Sequence, residues 1–195
     1  EVPEIGQVIK NPDILKVLEK IAAEGRDGFY KGELAQRLVD GVQNAGGIWS
    51  MEDLANYEVK EREPIRTMYQ GFELVTAPPP SSGGIAIAEI LNIIQPYNVS
   101  ELGKIQRTHL VVEAMRRAFR DRALYLGDTD FVLVPQQMLM DPNYAAGLRA
   151  GIRHDKATPS SMLPGKEIQP GGTDTTHFSV MDDEGNMVAA TLTVN

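Results

Sequence analysis

The sequence predicts a mixed α/β (α+β) protein of ordinary domain size. Apolar residues recur at helical spacing through residues 11–56, and extended segments flank a tight turn at Gln70-Gly71. Apolar and polar residues alternate on both sides of residues 182–186. The first pattern is typical of amphipathic helices and the other two of β-hairpins. With 195 residues, the chain is long enough to bury a sizeable core.

Three helices are predicted in the N-terminal part. The first follows the capping residue Asn11 and has Pro12 in its first turn. We expect residues 25–28 to interrupt the helical pattern because they begin and end with glycine. The second helix is predicted over Gly32–Asn44, and Ser50 is a plausible cap for a short third helix.

The middle of the chain changes from extended to helical patterns. Ile65–Tyr69 and residues 72–75 are predicted to form a hairpin. The proline- and glycine-rich residues 78–84 follow. They fit either a rigid strand-to-helix corner or an anion-binding loop, and the corner is favoured because no Lys-Ser/Thr pair follows the glycines. Residues 85–91 have little polar surface and predict a buried helix.

A longer amphipathic helix is predicted over residues 108–125. It carries four arginines, which are most simply a solvated or salt-bridged face: Arg116, Arg117, Arg120 and Arg122. Residues 127–172 contain prolines throughout and are expected to be mostly irregular.

The C-terminal hairpin separates into two faces because side chains alternate along a strand. One face is apolar and is expected to pack toward the core; it includes Phe178, Val180, Val188, Ala190, Leu192 and Val194. The other face is polar and includes Thr175, His177, Ser179, Thr191, Thr193 and Asn195. Hydroxyls, an imidazole and an amide therefore come together on two adjacent strands.

Composition excludes several classes of function. The formal net charge of -8, without a basic stripe, argues against a nucleic-acid partner. There are no cysteines, which excludes disulfides, thiolate metal sites and cysteine nucleophiles. The three histidines lack ligand spacing, so no metal site is predicted: His109, His154 and His177.

Thr175 meets the local requirement for a nucleophile that is activated by its own amino group. It starts a strand after the glycine-rich residues 171–174, which are suited to a strained turn. Cleavage of the Asp174–Thr175 bond would free an α-amine with a pKa near ~8, suited to take a proton at neutral pH. Threonine-rich strands are also common because of their β propensity, so a merely solvated polar face stays open at this point.

Several separate motifs lie along the chain in a fixed order. The earlier ones are residues 29–32, 46–48, 53–57, 78–84 and 125–128, and the later ones are residues 175–180, Gly185-Asn186 and residues 191–195. Together they resemble the γ-glutamyltransferase (γ-glutamyltranspeptidase) family of N-terminal-nucleophile hydrolases. The earlier motifs are similar to that family's large subunit, in family order, and the later ones look like the start of its small subunit. The resemblance therefore extends over nearly the whole chain.

The resemblance implies roles for three residues, and a fourth, His177, shares their face. Thr175 is similar to the family's catalytic threonine, which becomes the small-subunit N-terminus after cleavage between Asp174 and Thr175. Thr193 resembles the threonine that supports activation of the nucleophile. Asn195 resembles the asparagine that helps bind the α-amino and carboxylate end of the glutamyl group. His177 is read as a structural or supporting residue, because this activation needs no imidazole.

The resemblance also implies the architecture. The chain would be part of the family's four-layer αββα sandwich. Residues 1–174 would be the later part of the large subunit, residues 175–195 the first hairpin of the small subunit, and both would belong to one domain. The remainder of the small subunit would be a partner.

The implied reaction is γ-glutamyl transfer or hydrolysis through an acyl-enzyme on Thr175, made from a zymogen. The implied partners are glutathione or other γ-glutamyl compounds, amino-acid or peptide acceptors, and water, and no cofactor is implied. Many relatives are periplasmic or secreted and some are cytoplasmic, so the localisation stays open.

We expect these 195 residues to be a piece of a longer enzyme and to be inactive alone. The family's carboxylate-gripping arginine, serine pair and glycine-glycine oxyanion hole have no match here, and loss of oxyanion donors typically costs about 10²–10³ in rate. Two alternatives stay open. One is another hydrolase on the same scaffold, similar to cephalosporin acylases or to poly-γ-glutamate-processing enzymes. The other is a non-catalytic homologue.

Overall fold

The computed structural model describes residues 3–165 and 175–193, with only the backbone for Thr193. It divides into two compact units, Glu1–Glu61 and Arg62–Asn195. Both helices and strands occur, as the sequence predicts. Within the described residues, no helix is both long enough and apolar enough to cross a membrane.

The first unit is helical. Its elements are α1 (Pro12–Glu24), α2 (Asp27–Tyr30), α3 (Gly32–Asn44) and α4 (Met51–Ala55). The predicted caps are confirmed, because the Asn11 side chain accepts from Ile14 N at 3.1 Å and Ser50 forms a reciprocal capping box with Asp53. The break predicted over residues 25–28 contains the start of the short helix α2.

The core of this unit lies between α3 and α4. Ala35, Val39 and Leu54 are buried there, with Tyr30 packed against them. Arg26 fixes the end of α4, since its guanidinium donates to the carbonyls of Ala55 and Tyr57 at 2.8 and 2.6 Å. The exposed apolar residues of α1 include Ile14, Leu15 and Leu18.

The second unit begins with the predicted hairpin. Strands β1 (Ile65–Tyr69) and β2 (Phe72–Thr76) pair antiparallel, and α5 (Gly83–Ile94) follows. The corner between β2 and α5 is tight, because a Cβ at Gly84 would collide with Thr76 Oγ1 and with the carbonyl oxygen of Ala77. This geometry agrees with the strand-to-helix corner. As predicted, most of α5 is buried.

The helix α6 spans Lys104–Tyr125 and so starts four residues before the predicted position. The described residues 127–165 are mostly irregular, as expected, but they also contain helices that the sequence analysis did not predict. These are α7 (Gln136–Leu139), α8 (Pro142–Ala150) and a 3₁₀ turn at Ser160–Met162. Asp141 caps α8 by accepting from Asn143 N at 2.6 Å, and Pro142 occupies its first turn.

Two apolar clusters stabilise the described part of the second unit that precedes its last hairpin. One joins α5, α6 and α8 through Ile93, Ile94, Leu110, Ala114, Ala145 and Ile152. The other joins β1, α5 and α7 through Ile65, Ile85, Val134 and Leu139. The chain then ends in a second antiparallel pair, β3 (Thr175–Met181) and β4 (Met187–Thr193).

Candidate active site

The β3–β4 turn is held by a single aspartate. The Asp182 carboxylate accepts from Glu184 N at 3.0 Å, from Asn186 N at 2.8 Å and from the Asn186 side chain at 2.7 Å. These bonds, the one from the Asn186 side chain first, hold the pKa of Asp182 below its usual value. Gly185 has φ +85°, in the region that favours glycine. The turn therefore fixes which residues of the two strands face each other.

The register of this hairpin brings the proposed nucleophile and its proposed support together. Thr175 pairs directly with Thr193, and His177 pairs with Thr191. Directly opposed residues lie on the same face of an antiparallel pair, with Cβ atoms about 4.5–5.5 Å apart. The division into two faces predicted from the sequence is thus confirmed for the described pairs.

His177 organises the polar face by bridging both strands. Its Nδ1 lies 2.8 Å from Thr191 Oγ1, and its Nε2 lies 3.2 Å from Ser179 Oγ. One ring nitrogen can donate and the other can accept in the neutral imidazole. These contacts agree with the supporting role that the sequence suggested for His177.

The apolar face of the hairpin does not pack into the core of the described structure, so that expectation was wrong here. The exposed fractions of Phe178, Val180 and Leu192 are 46%, 56% and 59%. A two-stranded sheet has no interior of its own and buries a face only against another layer. The register nevertheless keeps these side chains on the face opposite Thr175.

A buried charged cluster lies on α6 and holds the segment before the second hairpin. Glu113 is 1% exposed and pairs with Arg116 and Arg117 at 2.8 and 2.7 Å. It also accepts from Thr158 N at 3.0 Å and from Thr158 Oγ1. Burial would raise the pKa of Glu113, but the hydrogen bonds from Thr158 and Arg117 outweigh it and lower that pKa to about 2. Glu113 is therefore ionised at neutral pH.

A second buried cluster joins α5, α6 and α8. Glu89 is 1% exposed and Asp121 is 0% exposed. Tyr144 Oη donates to Asp121 at 2.6 Å, and Arg120 donates to it at 2.8 Å. Burial, followed by the charge and hydrogen bonding of Asp121, raises the pKa of Glu89 to about 8. Burial, then the hydrogen bond to Asp121, raises the pKa of the Tyr144 phenol, which favours its role as donor.

The sequence reading of the four α6 arginines as one solvated or salt-bridged face was incomplete. Arg117 is 2% exposed, and Arg122 donates to Ser82 Oγ at 2.9 Å. The spacing of Glu113 from Arg116 and Arg117 (three and four positions) was the available signal for an ion pair. No signal in the sequence identified Thr158 as the partner of Glu113, because the two residues are far apart along the chain.

Comparison with known proteins agrees with the resemblance in the sequence. The family model described as Gamma-glutamyltranspeptidase matches residues 1–195. The chain belongs to the gamma-glutamyltranspeptidase family. It is 45% identical, over 97% of its length, to a glutathione hydrolase proenzyme of a Pseudomonas species, of which it covers 33%. The chain thus spans about a third of the length of the curated relatives it matches.

The fold of this chain resembles solved structures of this family and of an acylase. The Helicobacter pylori gamma-glutamyltranspeptidase matches with a TM-score of 0.77 and 38% identity, over 82% of this chain and 46% of that one. The cephalosporin acylase from Bacillus halodurans matches with a TM-score of 0.77 and 30% identity, over 96% of this chain and 33% of that one. The chain is a mixed α/β segment of the gamma-glutamyltranspeptidase scaffold.

The residues proposed for the gamma-glutamyltranspeptidase site are described to different extents. Thr175 starts β3, and the backbone of Thr193 is paired with it. Asp174, the other side of the proposed cleavage site, and Asn195, the proposed substrate-binding residue, lie outside the described residues. Within the described residues, no group of three His, Asp or Glu side chains is arranged to hold a metal ion.

Proposed function

We propose that the parent polypeptide, meaning the complete translation product that carries these 195 residues, is a γ-glutamyl-transferring N-terminal-nucleophile hydrolase. The observation that carries the proposal is the direct pairing of Thr175 with Thr193. At the Cβ separation of such a pair, about 4.5–5.5 Å, hydroxyls on two short side chains can meet. Thr193 would then orient the hydroxyl of Thr175.

The first step is self-cleavage of the parent. The Thr175 hydroxyl oxygen attacks the carbonyl carbon of Asp174 and gives up its proton. The peptide C–N bond breaks as the nitrogen takes a proton, which leaves an ester between Asp174 and Thr175. Water hydrolyses the ester, and the products are a carboxylate on Asp174 and a free hydroxyl and amine on Thr175. Residues 1–174 and 175–195 then belong to separate subunits of one αββα domain.

The second reaction uses the new N-terminus. The Thr175 amine takes the proton as the Thr175 oxygen attacks the γ-glutamyl carbonyl of glutathione or a related amide, since α-amines in peptides ordinarily have a pKa of about 8. The C–N bond of the amide breaks and the leaving amine takes the proton. Water then releases glutamate, or an amino acid or peptide accepts the acyl group. Asn195 is the proposed contact for the α-amino and carboxylate end of the substrate.

A second candidate function is hydrolysis of a glutaryl-type amide. The similarity to the cephalosporin acylase of Bacillus halodurans supports it, since that structure covers nearly the whole chain at the same TM-score. The chain is 45% identical to a glutathione hydrolase proenzyme and 42% identical to the Acylase ACY 1 proenzyme of a Pseudomonas species, and this small margin favours the γ-glutamyl donor. Both reactions would use the same Thr175 nucleophile and differ in the substrate-binding residues.

Substrate preference of the parent enzyme tests the proposal. We expect faster turnover of a γ-glutamyl anilide than of the matched glutaryl anilide, which lacks only the α-amino group. Thr175→Ala should abolish turnover of both substrates, and Thr175→Ser should retain part of it because a hydroxyl remains. A preference for the glutaryl compound would support the acylase alternative. Unchanged processing and turnover in Thr175→Ala would support a non-catalytic Thr175 and contradict the proposal.

A further inference from the structure

An open pocket of about 350 Å³ lies within the first unit. Four of the side chains that line it are aromatic: Phe29, Tyr30, Trp49 and Tyr57. Small-molecule sites typically have volumes of about 300–1,000 Å³ and are lined mostly by apolar and aromatic side chains. The motifs over residues 29–32 and 53–57 supply three of the four rings. The reaction proposed for Thr175 uses none of them.

The two exposed aromatic walls are held in place by polar contacts. The side-chain amide of Gln43 donates to the carbonyl of Trp49 at 2.7 Å, and Arg26 donates to the carbonyl of Tyr57 at 2.6 Å. The Tyr57 ring stacks on Tyr30, with 5.3 Å between the ring centroids and 9° between the ring planes. Trp49 and Tyr57 are nevertheless 45% and 52% exposed. Binding to such preformed surfaces costs little ordering of the protein.

The charged group among the described residues that line the pocket is a carboxylate. Asp53 Oδ2 accepts from the backbone nitrogen and from the hydroxyl of Ser50, each at 2.8 Å. These bonds, the one from the Ser50 side chain first, hold the pKa of Asp53 below its usual value, so the carboxylate is ionised at neutral pH. In the part of the chain that the structure describes, Asp53 Oδ1 makes no hydrogen bond or ion pair. A fixed negative charge with one free oxygen therefore lies beside the aromatic walls.

We propose that this pocket binds a small organic cation of the alkyl- or arylammonium class. The faces of tryptophan and tyrosine rings attract a cation within about 6 Å of the ring centroid, and the carboxylate adds an opposite charge. The Arg26 guanidinium already makes a contact of this kind, at 5.1 Å from the centroid of Tyr30. Its own charge is partnered by Asp27 and by two backbone carbonyls. The exposed rings of Trp49 and Tyr57 are left for the ligand.

Binding of benzyltrimethylammonium to the parent polypeptide, measured by calorimetry, tests the proposal. We expect saturable binding with a Kd of about 1–10 mM, as is ordinary for a ligand of this size. Dimethyl benzyl carbinol has nearly the same size and shape but no charge, and it should bind about threefold more weakly. Trp49 is the only tryptophan of the 195 residues. Its emission, taken as the difference between the parent and Trp49→Phe, should change with the same Kd.

Variants of the pocket separate the rings from the charge. Trp49→Ala and Tyr57→Ala should each weaken binding of the ammonium ion about fivefold or more, whereas Trp49→Phe keeps a ring and most of the affinity. Asp53→Asn keeps an oxygen that can accept from Ser50 and removes the charge. It should weaken binding of the ammonium ion by about twofold to fivefold and leave binding of the carbinol unchanged. Glu52→Gln is the matched control, because this exposed neighbour does not line the pocket, and it should change neither.

Four results would overturn the proposal. The first is no saturable binding of benzyltrimethylammonium at concentrations about tenfold above the expected Kd. The second is binding that Trp49→Ala and Tyr57→Ala leave unchanged, since the ion would then bind elsewhere. The third is equal affinity for the carbinol and the ammonium ion in both the parent and Asp53→Asn. The fourth is Trp49 emission in the parent that acrylamide does not quench, because another part of that chain would then fill the pocket.

Discussion

Replacement of Glu89 by glutamine should stabilise the α5–α6–α8 core, and increasingly so as the pH rises. Glu89 is buried beside Asp121, and its Oε1 has no hydrogen-bond partner in the described structure. The groups that influence its pKa are Asp121, which raises it, and Arg120, which lowers it. The Tyr144 hydroxyl, from α8, is bound to Asp121. An amide in place of the Glu89 carboxyl would donate to Asp121 and would never ionise.

The direction of this pH dependence of stability follows from the pKa of Glu89, which is about 8 in the folded protein against an ordinary value of 4.5. Below the ordinary value the carboxyl is protonated in both states, so its ionisation makes no contribution to the stability. Between the two values the unfolded chain releases the proton while the folded chain retains it, so stability falls as the pH rises and levels off above the folded pKa. The free energy of unfolding falls by about 1.4 kcal/mol per pH unit between the two pKa values, so the total loss approaches about 5 kcal/mol.

Hydrogen exchange of the α5 and α6 amides in the parent protein measures this local stability. At about pH 9, Glu89→Gln should slow the exchange that proceeds through opening of this core by about 30-fold or more, and at about pH 4.5 the difference should nearly vanish. Glu101→Gln, at an exposed glutamate between the same helices, is the control. An equal effect of Glu89→Gln at both pH values would contradict this prediction, since only ionisation of Glu89 makes the difference in local stability depend on pH.

Three other substitutions test separate parts of the structure. Thr193→Val should lower γ-glutamyl turnover by about 10²-fold, as loss of one positioned hydrogen bond does, while Thr176→Val on the opposite face should not. Gly84→Ala should lower the free energy of unfolding by about 1–3 kcal/mol, measured by thermal unfolding. At Gly147 the added methyl group would lie in open space, so Gly147→Ala should leave the free energy of unfolding unchanged or raise it. Glu113 has a pKa of about 2, so its stabilisation should be lost as the pH falls from the ordinary value of 4.5 toward 2, and Glu113→Gln should remove that dependence.

The sequence was most informative where the pattern is local. Alternation around residues 182–186 predicted which side chains share a face, and the pairing of His177 with Thr191 agrees with it. The caps at Asn11 and Ser50 were correct for the same reason, because a cap depends only on residues within one turn. The cap of α8 was missed although Asp141 and Pro142 carry the same kind of signal, since the surrounding prolines suggested an irregular segment.

Contacts between distant parts of the chain were not predictable from spacing. The four arginines of α6 look alike in sequence, yet Arg117 is buried against Glu113 while Arg122 bonds Ser82. Their roles depend on which loop lies over each turn of the helix. The raised pKa of Glu89 arises from burial and then from the charge of Asp121. The apolar residues around Glu89 predict its burial, but nothing in the local sequence identifies Asp121 as its neighbour.

The N-terminal sequence of the smaller product of the parent polypeptide decides whether Thr175 is the nucleophile that self-cleavage exposes. Intact mass gives its size and N-terminal sequencing gives its first residue. We predict that it begins at Thr175, so that the side-chain hydroxyl and the free α-amine belong to the same residue at the start of β3. A product beginning at Thr173 or Thr176, or a parent that stays uncleaved yet turns over substrate normally, would contradict it.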